Sequence, residues 1–95
     1  MNKYQCIKLM TINGDSTITM RGEPDIVCTT DFSTPYIKKK RFIKLPRDKN
    51  SLLVFSWTDD SFRTLNIENI KNIKPLSETL GNKSYGEEEE SWKLI

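Results

Sequence analysis

The stretch that most limits what this chain can become runs from residue 51 to residue 76. It opens with Ser51-Leu52-Leu53-Val54-Phe55-Ser56-Trp57-Thr58, a run of β-branched, aliphatic and aromatic types suited to a pleated surface. Asp59-Asp60-Ser61 follows, and short polar side chains of that kind bond to their own backbone and turn the chain. In Phe62-Arg63-Thr64-Leu65-Asn66-Ile67 the side chains then alternate, Phe62 and Thr64 on one side, Arg63, Leu65 and Ile67 on the other. The pattern is that of a β-hairpin. Beyond it Ile67, Ile70 and Ile73 recur every third residue, the spacing a 3₁₀ turn aligns. A single such turn feeding a last short strand over residues 71–74 is expected before Pro75.

The remaining strands are read from alternation and turn chemistry. Residues 3–12 alternate imperfectly, Tyr4, Cys6, Met10 and Ile12 against Ile7 and Leu9, and are expected to form a strand covered on both faces. Asn13-Gly14-Asp15 is the strongest hairpin signal in the chain, because Asn and Gly accept positive φ. Residues 16–20 would return, with Ile18 and Met20 inward. Arg21-Gly22-Glu23-Pro24 would then break the strand, and residues 25–30 form a third. Tyr36-Ile37-Lys38-Lys39-Lys40-Arg41-Phe42-Ile43-Lys44-Leu45 reads as a fourth strand ended by Pro46. Alanine, the best helix former, is absent altogether, which strengthens the expectation of a strand-dominated fold.

The ending from residue 51 to residue 76, strand–turn–strand–3₁₀–strand, resembles the close of SH3-like and Sm-like small β-barrels. The run Phe62-Arg63-Thr64-Leu65-Asn66-Ile67-Glu68-Asn69-Ile70 is also similar to the end of WYL domains, which belong to the same barrel class. The likeness covers about a quarter of the chain and implies a fold, not an activity. The expectation is a small antiparallel SH3-like or Sm-like barrel of five to seven strands, with an open sheet or sandwich as the second choice. Residues 1–76 would form it and residues 77–95 an acidic, flexible tail.

Charge divides along the same boundary. Through Leu76 the chain holds 13 Lys and Arg against 8 Asp and Glu, and from Ser77 onward 2 against 5. A body with a surplus of five positive charges permits nucleic acid without demanding it, since duplex binders neutralise many phosphates at once. Catalysis has little to draw on. There is no histidine, the side chain that titrates near neutrality. Nor is there a Gly-rich phosphate loop or nucleophile elbow. Cys6 and Cys28 lie 22 positions apart with no histidine to complete a zinc site, so no metal or other cofactor is expected. Asp59-Asp60 serves a turn better than a metal. No run is long and apolar enough for a signal peptide or a membrane span. The reading is a cytoplasmic, non-enzymatic protein with reduced, buried thiols.

Two segments remain as binding candidates. On the basic strand Tyr36, Lys38, Lys40, Phe42 and Lys44 would share a face, rings for stacking on bases and ammonium groups for phosphates. Lys39 and Arg41 on the other face extend the charge, which could equally dock an acidic protein or blunt an exposed sheet edge. In the tail, Glu87-Glu88-Glu89-Glu90 precedes Trp92 and Leu94, an acidic run with an apolar tip that could order on a partner, close the sheet, or keep the protein in solution. A protein partner is expected first and single-stranded nucleic acid second. Small folded products of this profile are common among phages and mobile elements that inhibit or regulate host machinery, which is an analogy rather than a derivation.

Overall fold

The computed structural model describes residues 1–81. Five antiparallel strands form one sheet, β1 (Ser16–Met20), β2 (Glu23–Thr29), β3 (Ser51–Ser56), β4 (Ser61–Asn66) and β5 (Ile70–Pro75), in the order β4-β3-β2-β1-β5. Helix α1 (Lys3–Asn13) precedes them, the short α2 (Pro35–Lys38) lies between β2 and β3, and α3 (Leu76–Gly81) follows β5. The expected hairpin is present, with Ser51 opposite Asn66 and Ser56 opposite Ser61. A 3₁₀ turn, Ile67–Asn69, leads from β4 into β5 as the isoleucine spacing predicts.

That turn shapes the sheet. Four inter-strand spacings of about 4.8 Å would set the edges of a flat five-stranded sheet roughly 19 Å apart. Yet three residues carry the chain from edge strand β4 to edge strand β5. Even fully stretched, the four steps from Asn66 to Ile70 cover at most about 14 Å, and a 3₁₀ turn covers much less. The sheet must therefore curl until its edges approach at this end. Two contacts hold the curl. The Arg21 N–H donates to the Asn69 carbonyl at 2.8 Å, and Arg63 of β4 reaches Glu23 of β2 at 2.8 Å. β4 and β5 do not pair, so the sheet is curled but open.

Residues 3–12 are not the expected strand but helix α1. Asn2 and Gln5 form a reciprocal capping box: the Gln5 N–H donates to the Asn2 side chain at 2.8 Å, and the Asn2 N–H to the Gln5 side chain at 2.9 Å. Cys6 and Met10 stand one turn apart and enter the core, a period of four that imperfect alternation had masked. Asn13-Gly14 consequently ends a helix instead of turning a hairpin. Gly14 takes φ +76°, and its N–H donates to the Met10 carbonyl at 2.9 Å.

The first hairpin falls one element later, across Arg21-Gly22, with Gly22 at φ +75°. Pro24 does not break β2 as expected. Thr19 faces both Pro24 and Asp25, so the proline occupies a β-bulge, where no ladder donor is needed.

Residues 36–45 are likewise not a strand. Thr34 caps α2, with the Ile37 N–H donating to its hydroxyl at 3.4 Å, and Pro35 supplies a pre-set first helical residue. β3 then pairs directly with β2, with Cys28 opposite Ser56 and Thr29 opposite Phe55, leaving residues 39–50 as the connection from α2 to β3, its Pro46 and Asp48 carbonyls accepting from Lys3 Nζ of α1.

The core has two sides because β3 is covered on both. Leu52 and Val54 join Cys6, Met10, Ile18, Cys28 and Leu65 beneath α1. Leu53 and Phe55 join Ile37 and Phe62 on the opposite face, with Phe32 and Trp57 packed against them. Both cysteines are free and buried, and burial pushes the Cys28 thiol up to about 12.

Candidate partner-docking surface

The second core is closed by α2 and the connection that follows, and the same segment carries most of the residues singled out by sequence. Ile37 is its anchor, 1 % exposed among Leu53, Phe55 and Phe62. With Ile37 pointing inward, the neighbouring side chains are turned outward. Tyr36 remains half exposed, its ring stacked on Trp57 at a centroid distance of 6.0 Å and edge-on to Phe55 at 6.5 Å.

Tyr36 is further held by the tip of the β3–β4 hairpin. Its hydroxyl donates to Asp60 Oδ1 at 2.6 Å, and Lys40 Nζ reaches Asp60 Oδ2 at 2.9 Å. The same ammonium lies 4.7 Å from the centre of the Tyr36 ring. Asp60 adopts φ 54°, a conformation that Asp tolerates better than most side chains. The hydrogen bond from Tyr36, then that from Lys40, holds the Asp60 carboxyl below the usual range. The bond to Asp60 and the contact with Tyr36 push the Lys40 ammonium up. Asp59 turns the other way, accepting from the Ser56 hydroxyl at 2.8 Å and from Arg63 at 3.1 Å. The Asp59-Asp60 pair is thus a turn with divided loyalties, each carboxylate held by different partners.

After Lys40 the chain crosses to Pro46 with little to hold it. Among the described residues the backbone of residues 41–45 makes no hydrogen bond. Phe42 touches Phe32 and Phe62, at centroid distances of 6.4 and 5.1 Å, yet is 54 % exposed. Ile43 and Leu45 are exposed as well. Lys38, Lys39, Arg41 and Lys44 are exposed, and among the described residues their charged groups pair with no carboxylate.

The expected stripe of Tyr36, Lys38, Lys40, Phe42 and Lys44 on one strand face is therefore redistributed. Tyr36 and Lys40 are tied together through Asp60, and Phe42 leans on the second core. Lys38, Lys39, Arg41 and Lys44 are exposed and pair with no carboxylate among the described residues. Trp92 and Leu94 lie outside the described residues. Sequence reasoning did not assign Trp57, Asp60, Ile43 or Leu45 to this surface. Ile43 and Leu45 are apolar and lie in a run read as a strand, where alternation groups them with Ile37, Lys39 and Arg41 on the face opposite Tyr36 and Phe42. Once that strand is absent, their exposure follows.

Among the described residues no group of three or more His, Cys, Asp or Glu side chains could hold a metal ion, and no helix is long and apolar enough to cross a membrane. No family model, curated protein or solved structure matches the chain.

Proposed function

We propose that this protein is a non-enzymatic binding module that docks a macromolecular partner, a protein with an acidic and apolar surface, through residues 38–45. One observation carries the reading. A five-residue stretch exposes Phe42, Ile43 and Leu45 beside cations that pair with no carboxylate among the described residues, and among those residues its backbone makes no hydrogen bond. Exposed apolar side chains grouped in this way mark interaction surfaces, and flanking cations select an acidic partner and speed its approach. The partner would also supply the hydrogen bonds that this backbone lacks.

The fold reading that accompanies this is a small SH3-like or Sm-like barrel. The strand order, the 3₁₀ turn linking the two edge strands and the enforced curl support it. Action in the cytoplasm accords with two free, buried cysteines. Inhibition or regulation of host machinery, as by phage and mobile-element products, is the class of role that such stoichiometric docking serves. A second reading, single-stranded nucleic-acid binding, draws on the half-exposed rings of Tyr36 and Phe42 beside Lys38 and Lys44.

Affinity capture with the wild type and with a Lys38→Glu, Lys39→Glu, Arg41→Glu, Lys44→Glu variant tests the first reading. A partner held by the wild type should be lost by the variant, and retention of every partner refutes it. A labelled oligonucleotide titrated at low and high salt tests the second, which predicts tight binding that weakens steeply with salt.

A further inference from the structure

The exposed side of helix α1 mixes polar and apolar side chains, with Tyr4, Ile7 and Ile12 standing among Gln5, Lys8 and Thr11. Cys6 and Met10 face the sheet, but Tyr4 and Ile12 are both 73 % exposed, and Leu9 is only partly covered. On a surface helix apolar side chains are ordinarily confined to the covered face. Along one flank, Met1, Gln5, Lys8, Leu9 and Ile12 line an open groove of about 490 Å³. These positions fall on a single stripe of the helix surface. The walls are carbon-rich, and one ammonium, that of Lys8, stands on them.

The chain itself carries a segment of matching chemistry, and it starts from the same corner of the molecule. The Leu76 N–H donates to the Asp15 carbonyl at 3.0 Å, so α3 begins where α1 has just ended. α3 has six residues, so its end lies about 9 Å along the helix from that point. Fourteen residues follow, able to reach about 45 Å when extended. The groove runs along an 11-residue helix of roughly 16 Å. Residues 87–90 are four glutamates, and residues 91–95 read Ser-Trp-Lys-Leu-Ile.

We infer that residues 87–95 of this chain seat in the α1 groove, with Trp92, Leu94 and Ile95 covering Leu9 and Ile12 and the glutamates beside Lys8. The basic surface at residues 38–45 is the competing seat, favoured by charge. Its Phe42 packs on Phe62, on the sheet face opposite Cys6 and Met10, and only its Pro46 end, whose carbonyl accepts from Lys3 Nζ at 3.1 Å, comes near α1. The inference is independent of the docking function proposed for that surface.

Full-length protein labelled with 5-fluorotryptophan tests it by ¹⁹F NMR. The chain has two tryptophans, and loss of one signal in Trp92→Phe assigns the pair. The Trp92 signal should lie away from its position in concentrated urea and stay there over a hundredfold dilution. In Ile12→Asp it should return to the urea position while the Trp57 signal holds, which certifies the fold. Lys8→Glu, which leaves Leu9 and Ile12 in place, should move it part of the way. A Trp92 signal already at the urea position in the wild type overturns the inference. So does shielding that dilutes away, which would assign the groove to a second copy. Release by Leu45→Asp but not by Ile12→Asp would place the segment on the basic surface, and release by neither variant would place it elsewhere. Both results overturn it.

Discussion

Replacing Ile37 by alanine separates two accounts of residues 36–45 by their energetics. Ile37 is 1 % exposed, wedged against Leu53, Phe55 and Phe62. Truncation deletes three carbons, a transfer loss of about 2.4 kcal/mol at ~0.8 kcal/mol each. The cavity left beneath α2 adds to this, and buried Ile→Ala changes cost ~2–5 kcal/mol. About 3 kcal/mol is the expected loss, near the low end because a four-residue helix can settle into the space. At ~4–8 °C per kcal/mol for a domain of this size, the melting temperature should fall by roughly 12–24 °C. Were the segment a strand, Ile37 and Ile43 would share a face and their truncations would cost alike. In the structure Ile43 is exposed, so Ile43→Ala should cost at most ~0.5 kcal/mol. Urea unfolding followed by far-UV circular dichroism measures both. Equal losses for the two variants, or a loss below ~1 kcal/mol at Ile37, would refute the account of α2 as the seal of the second core.

The other predictions concern caps, carboxylates and thiols. Asn2→Ala removes the acceptor of the α1 capping box and should cost ~1 kcal/mol in the same urea assay, more than alanine at the exposed Lys71. Asp60 titrates below its ordinary 3.8 in the folded protein, so its contribution is present above that pH and is lost as pH falls through the depressed value. Asp60→Asn should therefore flatten the acid limb of stability against pH below about 4, and an unchanged limb would exclude the link to Tyr36 and Lys40. Cys28 shifts the opposite way, from 9.0 to about 12, so its contribution is complete below pH 9 and fades as pH rises from 9 toward 12. At neutral pH a thiol-specific reagent should label Cys6 and Cys28 only as fast as the protein opens, and urea should accelerate both reactions.

Where side-chain order and chain path agree, the sequence by itself determined this protein. In residues 51–76 alternation, a polar turn and a three-residue period are each local, so the β3–β4 hairpin, the 3₁₀ turn and β5 are all legible before folding. Residues 3–12 and 36–45 are different, because their apolar residues fit two periods. Cys6 and Met10 sit four apart and Tyr4 and Cys6 two apart; the Asn2–Gln5 box and the sheet face available to Cys6 and Met10 decide for helix. Ile37 and Leu45 would suit one strand face, but β2 pairs directly with β3 and leaves no slot there, so only Ile37 is buried. The exposed, cationic stretch that carries the proposed docking role is a consequence of that pairing. A strand needs a neighbour to satisfy its backbone, and neighbours are assigned by tertiary structure, not by the segment's own residues.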